Sequence, residues 1–369
     1  MPLPKPLKFL SVSAPARLCL FGEHSDYLGL SVITAAIDLR LRISGTPRSD
    51  QRFYINLPDI HGFESFEADG ELPYVKERDY YRSVINVLRR RGVHIPHGFD
   101  CEIHSEIPKQ AGCASSSALI IAWITFLLHA FGDPRRRRPK EIAWMGYEAE
   151  VLEFGEPGGW MDHFTSALGG LLHLDCGGDR PRIRRLPARL GKFVLADSLD
   201  PKDTLRFLQR VRSGRLDIIH KLEPGIRLSS LRKIGEGDIE KFRNHPLSED
   251  EFLLLRETIR NREYAEEGLT LLRAAAVEPE RLGHLLNRQH DLLRDVFKIS
   301  TAKIDRLMDV ALEHGARGGK INGSGGGGCL FVYAPQTFMK VAQAIRLSGG
   351  QSYVIDVASG VRVDEMVRE

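Results

Sequence analysis

Residues 14–30 read APARLCLFGEHSDYLGL. Five small or apolar residues, Leu18 to Gly22, run straight into Glu23, His24 and Asp26, with Tyr27 behind them. The chain's first strand-like stretch therefore delivers two carboxylates and an imidazole to one short turn, and all three groups resist burial. A polar hairpin end accounts for such a turn, and so does a binding site. The rest of the chain decides between them.

At 369 residues the chain exceeds one ordinary core, so two domains or lobes are expected. Hydrophobic content of 42% and charged content of 27% are those of a globular protein. A net charge of +3 gives no reason to expect nucleic acid or a membrane surface as partner. Two basic runs, RRRRPK at 135–140 and RVRSGR at 210–215, read as solvated faces. The five cysteines are scattered and show no C-x-x-C spacing, which argues against a disulfide framework and a zinc site. The opening MPLPKPLKFLSVSAP is broken by proline and lacks a signal-peptide core. No stretch reaches the ~18 apolar residues of a membrane span. A cytoplasmic protein is the expectation.

Outward from the turn, KFLSVSAPARLCLF and SVITAAIDLRLRISGTP read as strands, and FDCEIHSEIP (99–108) alternates like a half-buried one. Residues 111–119, AGCASSSAL, are small residues opening a long apolar helix. Free backbone N–H groups and a positive helix end suit such a loop to phosphate, and Ser115, Ser116 and Ser117 add hydroxyls. An N-cap on a buried helix explains one serine, not three. A second helix covers PKEIAWMGYEAEVLEF (139–154), and GEPGGWMDHF (155–164) then turns into a short third one that starts near Asp162. The polar, Gly- and Pro-broken stretch 177–191 is the boundary candidate, dividing the chain into 1–185 and 186–369. Beyond it come a strand, KFVLADS, and helical stretches at 203–222, 250–276, 279–297 and 302–314. Then NGSGGGG (322–328) precedes the apolar strand CLFVY. Four consecutive glycines raise the entropy lost on folding, so close backbone approach is expected there. Neither loop is a Walker A sequence or a dinucleotide fingerprint.

In this order the three loops resemble those of the GHMP kinase superfamily, and most of all its galactokinase branch. APARLCLFGEHSDYLG is similar to A-P-G-R-x-x-L-x-G-E-H-T-D-Y-x-x-G, IPKQAGCASSSAL to P-x-x-x-G-L-x-S-S-A, and KINGSGGGGCLFVY to K-x-T-G-A-G-G-G-G-C. GGWMDHFTSALGG resembles the G-I-M-D-Q-F-x-S stretch, and LNRQHDLLRDVFKIST the N-x-x-H-x-x-L segment. The resemblance implies an α/β (α+β) fold of two lobes with the active site in the cleft between them. It further implies a left-handed βαβ crossover in the N-terminal lobe and a ferredoxin-like C-terminal lobe.

The same resemblance implies roles. Glu23, His24 and Asp26 would grip sugar hydroxyls; carboxylates accept paired hydrogen bonds and imidazole both donates and accepts. Asp162 would be the catalytic carboxylate and Arg17 its partner. Gly112, Cys113, Ala114, Ser115, Ser116 and Ser117, with Gly323, Ser324, Gly325 and Gly326, would surround ATP, and Ser116 and Glu150 would hold Mg²⁺. Departures are Ala16, Cys113, Ser324 and His163 where the pattern has Gly, Leu, Ala and Gln. Residues 196–212 also lack the tyrosine that galactokinases carry beside the sugar. Trp160 offers either a stacking face or lobe packing. The reading is an ATP-dependent monosaccharide kinase acting at the anomeric hydroxyl. Its rivals are a kinase for another small alcohol, such as an isoprenoid precursor, and a sugar- and ATP-binding sensor. Oligomeric state is not readable from the sequence.

Overall fold

The computed structural model describes residues 6–109, 111–201, 204–222 and 227–369. Strands β1 (Leu7–Phe21) and β2 (Val32–Pro47) form a long antiparallel pair around the 22–31 turn, registered from Leu10–Gly45 to Phe21–Ile33. A hairpin of β3 (Arg52–Leu57) and β4 (Gly62–Glu67) follows, then α1 (Tyr80–Arg90) and β5 (Phe99–Ser105). β5 pairs antiparallel with β2 and parallel with β3. Next come α2 (Ser115–Ala130), α3 (Pro139–Tyr147), α4 (Met161–Leu168), β6 (Leu171–Asp175), which pairs with the start of β2, and β7 (Arg182–Arg185) beside it.

α2 is apolar around its whole circumference, with Ile120, Ile121, Trp123, Ile124, Phe126, Leu127 and Leu128 all buried, so it is an interior helix. It packs on β1 and β2 together with α4. From Leu10 to Phe21 every residue of β1 is buried. The expected second helix stops at Tyr147, and residues Glu148–Leu152 form a π-turn, a wider winding that recurs at functional sites.

The second half supplies β8 (Phe193–Asp197), α5 (Thr204–Leu222), the short α6 (Glu236–Ile239), α7 (Glu249–Leu272), α8 (Pro279–Asp295), α9 (Ala302–Glu313), β9 (Gly318–Ile321), β10 (Cys329–Tyr333), α10 (Phe338–Leu347), β11 (Gln351–Ile355) and β12 (Arg362–Arg368). β8 to β11 form an antiparallel sheet in the order β11-β8-β10-β9. Taken as first to fourth strands this is 4-1-3-2, the order expected of a ferredoxin-like βαββαβ unit. β9 is an edge, and its outward N–H groups are met from α8: Gly319 N–H donates to Asn287 (2.9 Å) and Ile321 N–H to His290 Nδ1 (3.3 Å). That is the work of the N-x-x-H segment.

The last strand does not stay with this sheet. β12 crosses back and pairs with β1 from Leu7–Arg368 to Ser13–Arg362. Arg40, buried on β2, fixes the crossing by donating to Ser13 Oγ and to the carbonyls of Ser359 and Gly360. The five cysteines are all buried. Among the described residues no helix is long and apolar enough to cross a membrane.

Candidate active site

The 22–31 turn is buried. Glu23, His24 and Asp26 are 1%, 3% and 2% exposed, so it is not a hairpin end facing solvent. Each group has a distinct setting. Glu23 Oε2 accepts from Lys320 Nζ (2.7 Å), which also donates to Cys19 O (2.8 Å), and neither partner is reached by solvent. A buried charge needs such a partner. His24, at φ 61°, lies 2.9 Å through Nδ1 from the Tyr27 hydroxyl and 3.2 Å through Nε2 from Ser324 O. Asp26 accepts from the amides of Tyr27 (3.0 Å) and Met161 (3.1 Å). Burial pushes its carboxyl up to about 6; nearby Asp162 adds to the rise and the two amides oppose it. Gly159 makes this approach possible, because a Cβ there would stand 2.0 Å from Asp26 Oδ2.

Arg17, from the middle of β1, reaches across to the other half of the cleft. Its Nε donates to Asp162 Oδ1 (2.6 Å) and Nη1 to Gly112 O (2.5 Å). Burial works against the guanidinium charge, but Asp162 outweighs it and the pKa rises above the ordinary value. Asp162 sits in the first turn of α4 with its side chain 29% exposed, accessible to a ligand while held by Arg17.

The serine loop opens α2 beside this pair. Gly112 (φ 80°) and Ala114 (φ 60°) wind left-handed, and α2 begins at Ser115 with no side-chain cap. Its N–H groups are thus left for a ligand. The π-turn aims Glu150 at the same place. Ser117 Oγ donates to Glu150 Oε2 (2.7 Å) and His163 Nε2 lies 2.7 Å from the same oxygen. Burial pushes the Glu150 carboxyl up, yet bonds from His163, Ser116 and Ser117 hold it below its ordinary range. An ionised carboxylate beside serine hydroxyls is the hard oxygen donor set that Mg²⁺ takes when phosphates supply the remaining ligands. Neighbouring Glu148 and Glu153 instead pair with Arg91 and Arg90.

The glycine loop closes the site from the second half. A Cβ on Gly323 (φ 80°) would meet Gly112 O at 2.6 Å, so the two loops touch backbone to backbone. Asn322 joins them to β1: it accepts from Cys19 N–H (2.9 Å) and donates to Gly112 O (3.0 Å) and Arg17 O (3.3 Å).

A cavity of 310 Å³ is lined by Arg17, Glu23, His24, Asp26, Gly112, Ala114, Ser115, Ser116, Ser117, Glu150, Asp162, Gly323 and Ser324. The structure does not bring Cys113, Gly325 and Gly326 to its wall. Cys113 is 2% exposed and turned inward, whereas Gly325 and Gly326 pack on Ile299 and Phe207. Of the 196–212 segment, which lacks a tyrosine, Leu208 lines the cavity; residues 202 and 203 of that segment lie outside the described residues. Trp160 packs edge-on against Tyr147 (6.1 Å between centroids) and is not part of the wall. Arg78, Glu156 and Tyr27 also line it, with Arg78 and Glu156 in a two-pronged ion pair. The reading of the sequence gave no role to them, nor to Lys320, Asn322 and His163. A lone Arg, Lys or Asn carries no spacing signal; the adjacent Gly/Pro turn was the one hint toward Glu156. The 210–215 run is corrected as well: Arg215 is 2% exposed rather than solvated.

Comparison with known proteins agrees with this geometry. The GHMP kinases N terminal domain matches residues 79–170, the GHMP kinases C terminal domain residues 272–347, and the galactokinase galactose-binding signature residues 5–47. The chain is 31% identical to a mevalonate kinase of Thermococcus gammatolerans over 96% of this chain and 98% of that one. It is 30% identical to a galactokinase of Actinobacillus succinogenes, over 89% and 86% respectively. Its fold is similar to the crystal structure of Lactococcus lactis galactokinase complexed with galactose, with a TM-score of 0.82 at 22% identity and coverage of 96% and 95%. The three matched stretches carry the acidic turn, the serine loop and the glycine loop between β9 and β10, and the likeness runs nearly end to end: this chain belongs to the GHMP kinases.

Proposed function

We propose that the protein transfers the γ-phosphoryl group of ATP to a monosaccharide, at the anomeric hydroxyl. The observation that carries this reading is the 2.6 Å contact of Arg17 with Asp162, between the serine loop on one side and Asp26 on the other. In the proposed complex the acceptor hydroxyl lies against Asp162, whose carboxylate takes the hydroxyl proton as the phosphoryl group moves. Arg17 keeps that carboxylate turned toward the acceptor. The N–H groups opening α2 and the backbone of Gly323 bind phosphate oxygens. Ser116 and Glu150 would hold Mg²⁺, which when bound neutralises phosphate charge. Positioning and charge stabilisation supply most of the rate in such transfers. Asp26 and His24 hold the other sugar hydroxyls.

A second reading, a kinase for mevalonate or a similar small alcohol, is favoured by the full-length likeness to mevalonate kinases and by Leu208 in the wall. Polar groups at the acceptor end weigh against it. A sensor without activity is disfavoured because Arg17, Asp162 and Glu150 all keep working contacts. The test is ADP release from Mg-ATP with a panel of neutral sugars, uronic acids and mevalonate. Turnover on a sugar above that on mevalonate is expected. The reverse order would overturn the sugar reading, and silence with every acceptor would favour the sensor.

A further inference from the structure

Leu208, Arg212 and Arg215 are spaced i, i+4, i+7 and share one face of α5. Leu208 lines the cavity, and both guanidiniums stand over the Tyr27 ring, at 5.7 Å for Arg212 and 5.4 Å for Arg215. Arg215 is 2% exposed; it donates to Val211 O and to the Tyr27 hydroxyl, and its Nη1 is buried with no acceptor. Arg212 Nε is likewise buried with no acceptor. Among the described residues neither guanidinium has a carboxylate within ion-pair distance. The nearby acids have other partners: Glu23 has Lys320, Asp162 has Arg17 and Glu156 has Arg78. Asp26 is bonded to backbone amides. The ring faces of Tyr27 and Phe297 give partial compensation for the two charges but no hydrogen-bond acceptor in the plane of the fork.

We propose that Arg212 and Arg215 form a subsite for an anionic group, a carboxylate or a phosphate ester, carried by the phosphoryl acceptor. This rests on the acceptor lying at the Tyr27 and Asp26 end of the cleft, as in the function proposed above. Buried guanidinium N–H groups without acceptors, Nη1 of Arg215 and Nε of Arg212, are unfavourable alone, and a planar fork matches carboxylate and phosphate oxygens. A neutral sugar would leave those donors unmet; an acidic sugar would meet them. The subsite therefore selects among acceptors and takes no part in proton transfer.

The test compares kcat/KM for matched acceptors with the full-length protein: galactose with galacturonate, glucose with glucuronate, mannose with mannose 6-phosphate, and mevalonate alongside. At least a tenfold preference for a charged member over its neutral parent is expected. The uronates and the phosphate distinguish carboxylate from phosphate ester. Arg212→Gln should erase the preference and Arg212→Lys should keep part of it; Arg212 is chosen because Arg215 is buried, and thermal melting checks folding. Neutral parents used as well as charged ones, or a preference that survives Arg212→Gln, would overturn the subsite while leaving the sugar kinase standing. Mevalonate turned over above every sugar would overturn the sugar acceptor, yet a tenfold loss on mevalonate in Arg212→Gln would still support the subsite. Calorimetric titration reads binding without turnover: a uronate binding no tighter than its neutral parent overturns the proposal.

Discussion

Asp26 and Asp162 are two carboxylates of one cleft with opposite environments. Because burial raises the Asp26 pKa to about 6, the folded protein binds a proton that the unfolded chain releases near its ordinary value of 3.8. Between those values the native state holds more protons, so this group's contribution to stability falls as pH rises, by up to ~3 kcal/mol across the window. Asp26→Asn should remove that slope, which chemical denaturation at pH 4.5 and pH 7 measures. The same titration should appear in function: kcat/KM for the acceptor rises through pH ~6 as Asp26 ionises, and the rise is absent in Asp26→Asn. An unaltered rise in the variant would assign it to another group. Asp162 is tied to Arg17 instead, and Asp162→Asn keeps its shape while removing the proton acceptor. A fall in kcat of roughly 10²–10⁴ is expected, with acceptor and nucleotide binding by calorimetry changed far less. Near-normal turnover would leave a mechanism of positioning alone. These residues were legible because motif order marks them. Lys320 was not: nothing in KING says that a lysine is fully buried under Glu23.

At the scale of elements, the loops and the helix lengths could be read, and the irregularities could not. Hydrophobic spacing over 139–154 fits one continuous helix, and period alone does not reveal the π-turn at 148–152 that directs Glu150 into the cleft. The arginines of α5 read as a solvated run because charge pattern carries no account of what packs over Tyr27. Glycines were legible as a demand for close approach, but only coordinates separate those that face a ligand from those that face Ile299 and Phe207. Gly159 makes the sharpest test. Its missing Cβ leaves room for Asp26, and Gly159→Ala forces the 156–161 turn or the carboxylate to move. Overpacking of this kind costs about 1–3 kcal/mol. If it falls on acceptor binding, the acceptor KM should rise roughly 5- to 150-fold while the ATP KM stays within about twofold. Equal losses for both substrates would mean that this turn supports the whole cleft.

Over the whole molecule, the sequence divides near 177–191, but the structure ties the halves together again. β12 hydrogen-bonds to β1, Lys320 enters from β9 to hold Glu23, and the glycine loop rests on the serine loop. Such pairings are non-local, so no window of sequence contains them; the ferredoxin-like second sheet was legible only through likeness to a family, and the return of β12 was not legible at all. Asn322 is where the tie is most concentrated. It is buried, and one amide bonds β1 at Cys19 and Arg17 and the serine loop at Gly112. Asn322→Ala would leave the Cys19 N–H buried without an acceptor and two carbonyls short of a donor. Each unmet group costs about 1–3 kcal/mol, although Gly112 O retains its bond from Arg17. A net loss of about 2–4 kcal/mol is expected, with the melting temperature lower by several degrees. Because the amide fixes the serine loop against Arg17, the loss should not be confined to stability. The ATP KM should rise and kcat fall together, unlike Gly159→Ala, whose effect is confined to the acceptor. Melting curves and steady-state kinetics on the one variant decide the matter. An unchanged melting temperature would show that the loops hold their places without this residue, and normal kinetics in a destabilised variant would reduce Asn322 to a structural bond between the halves.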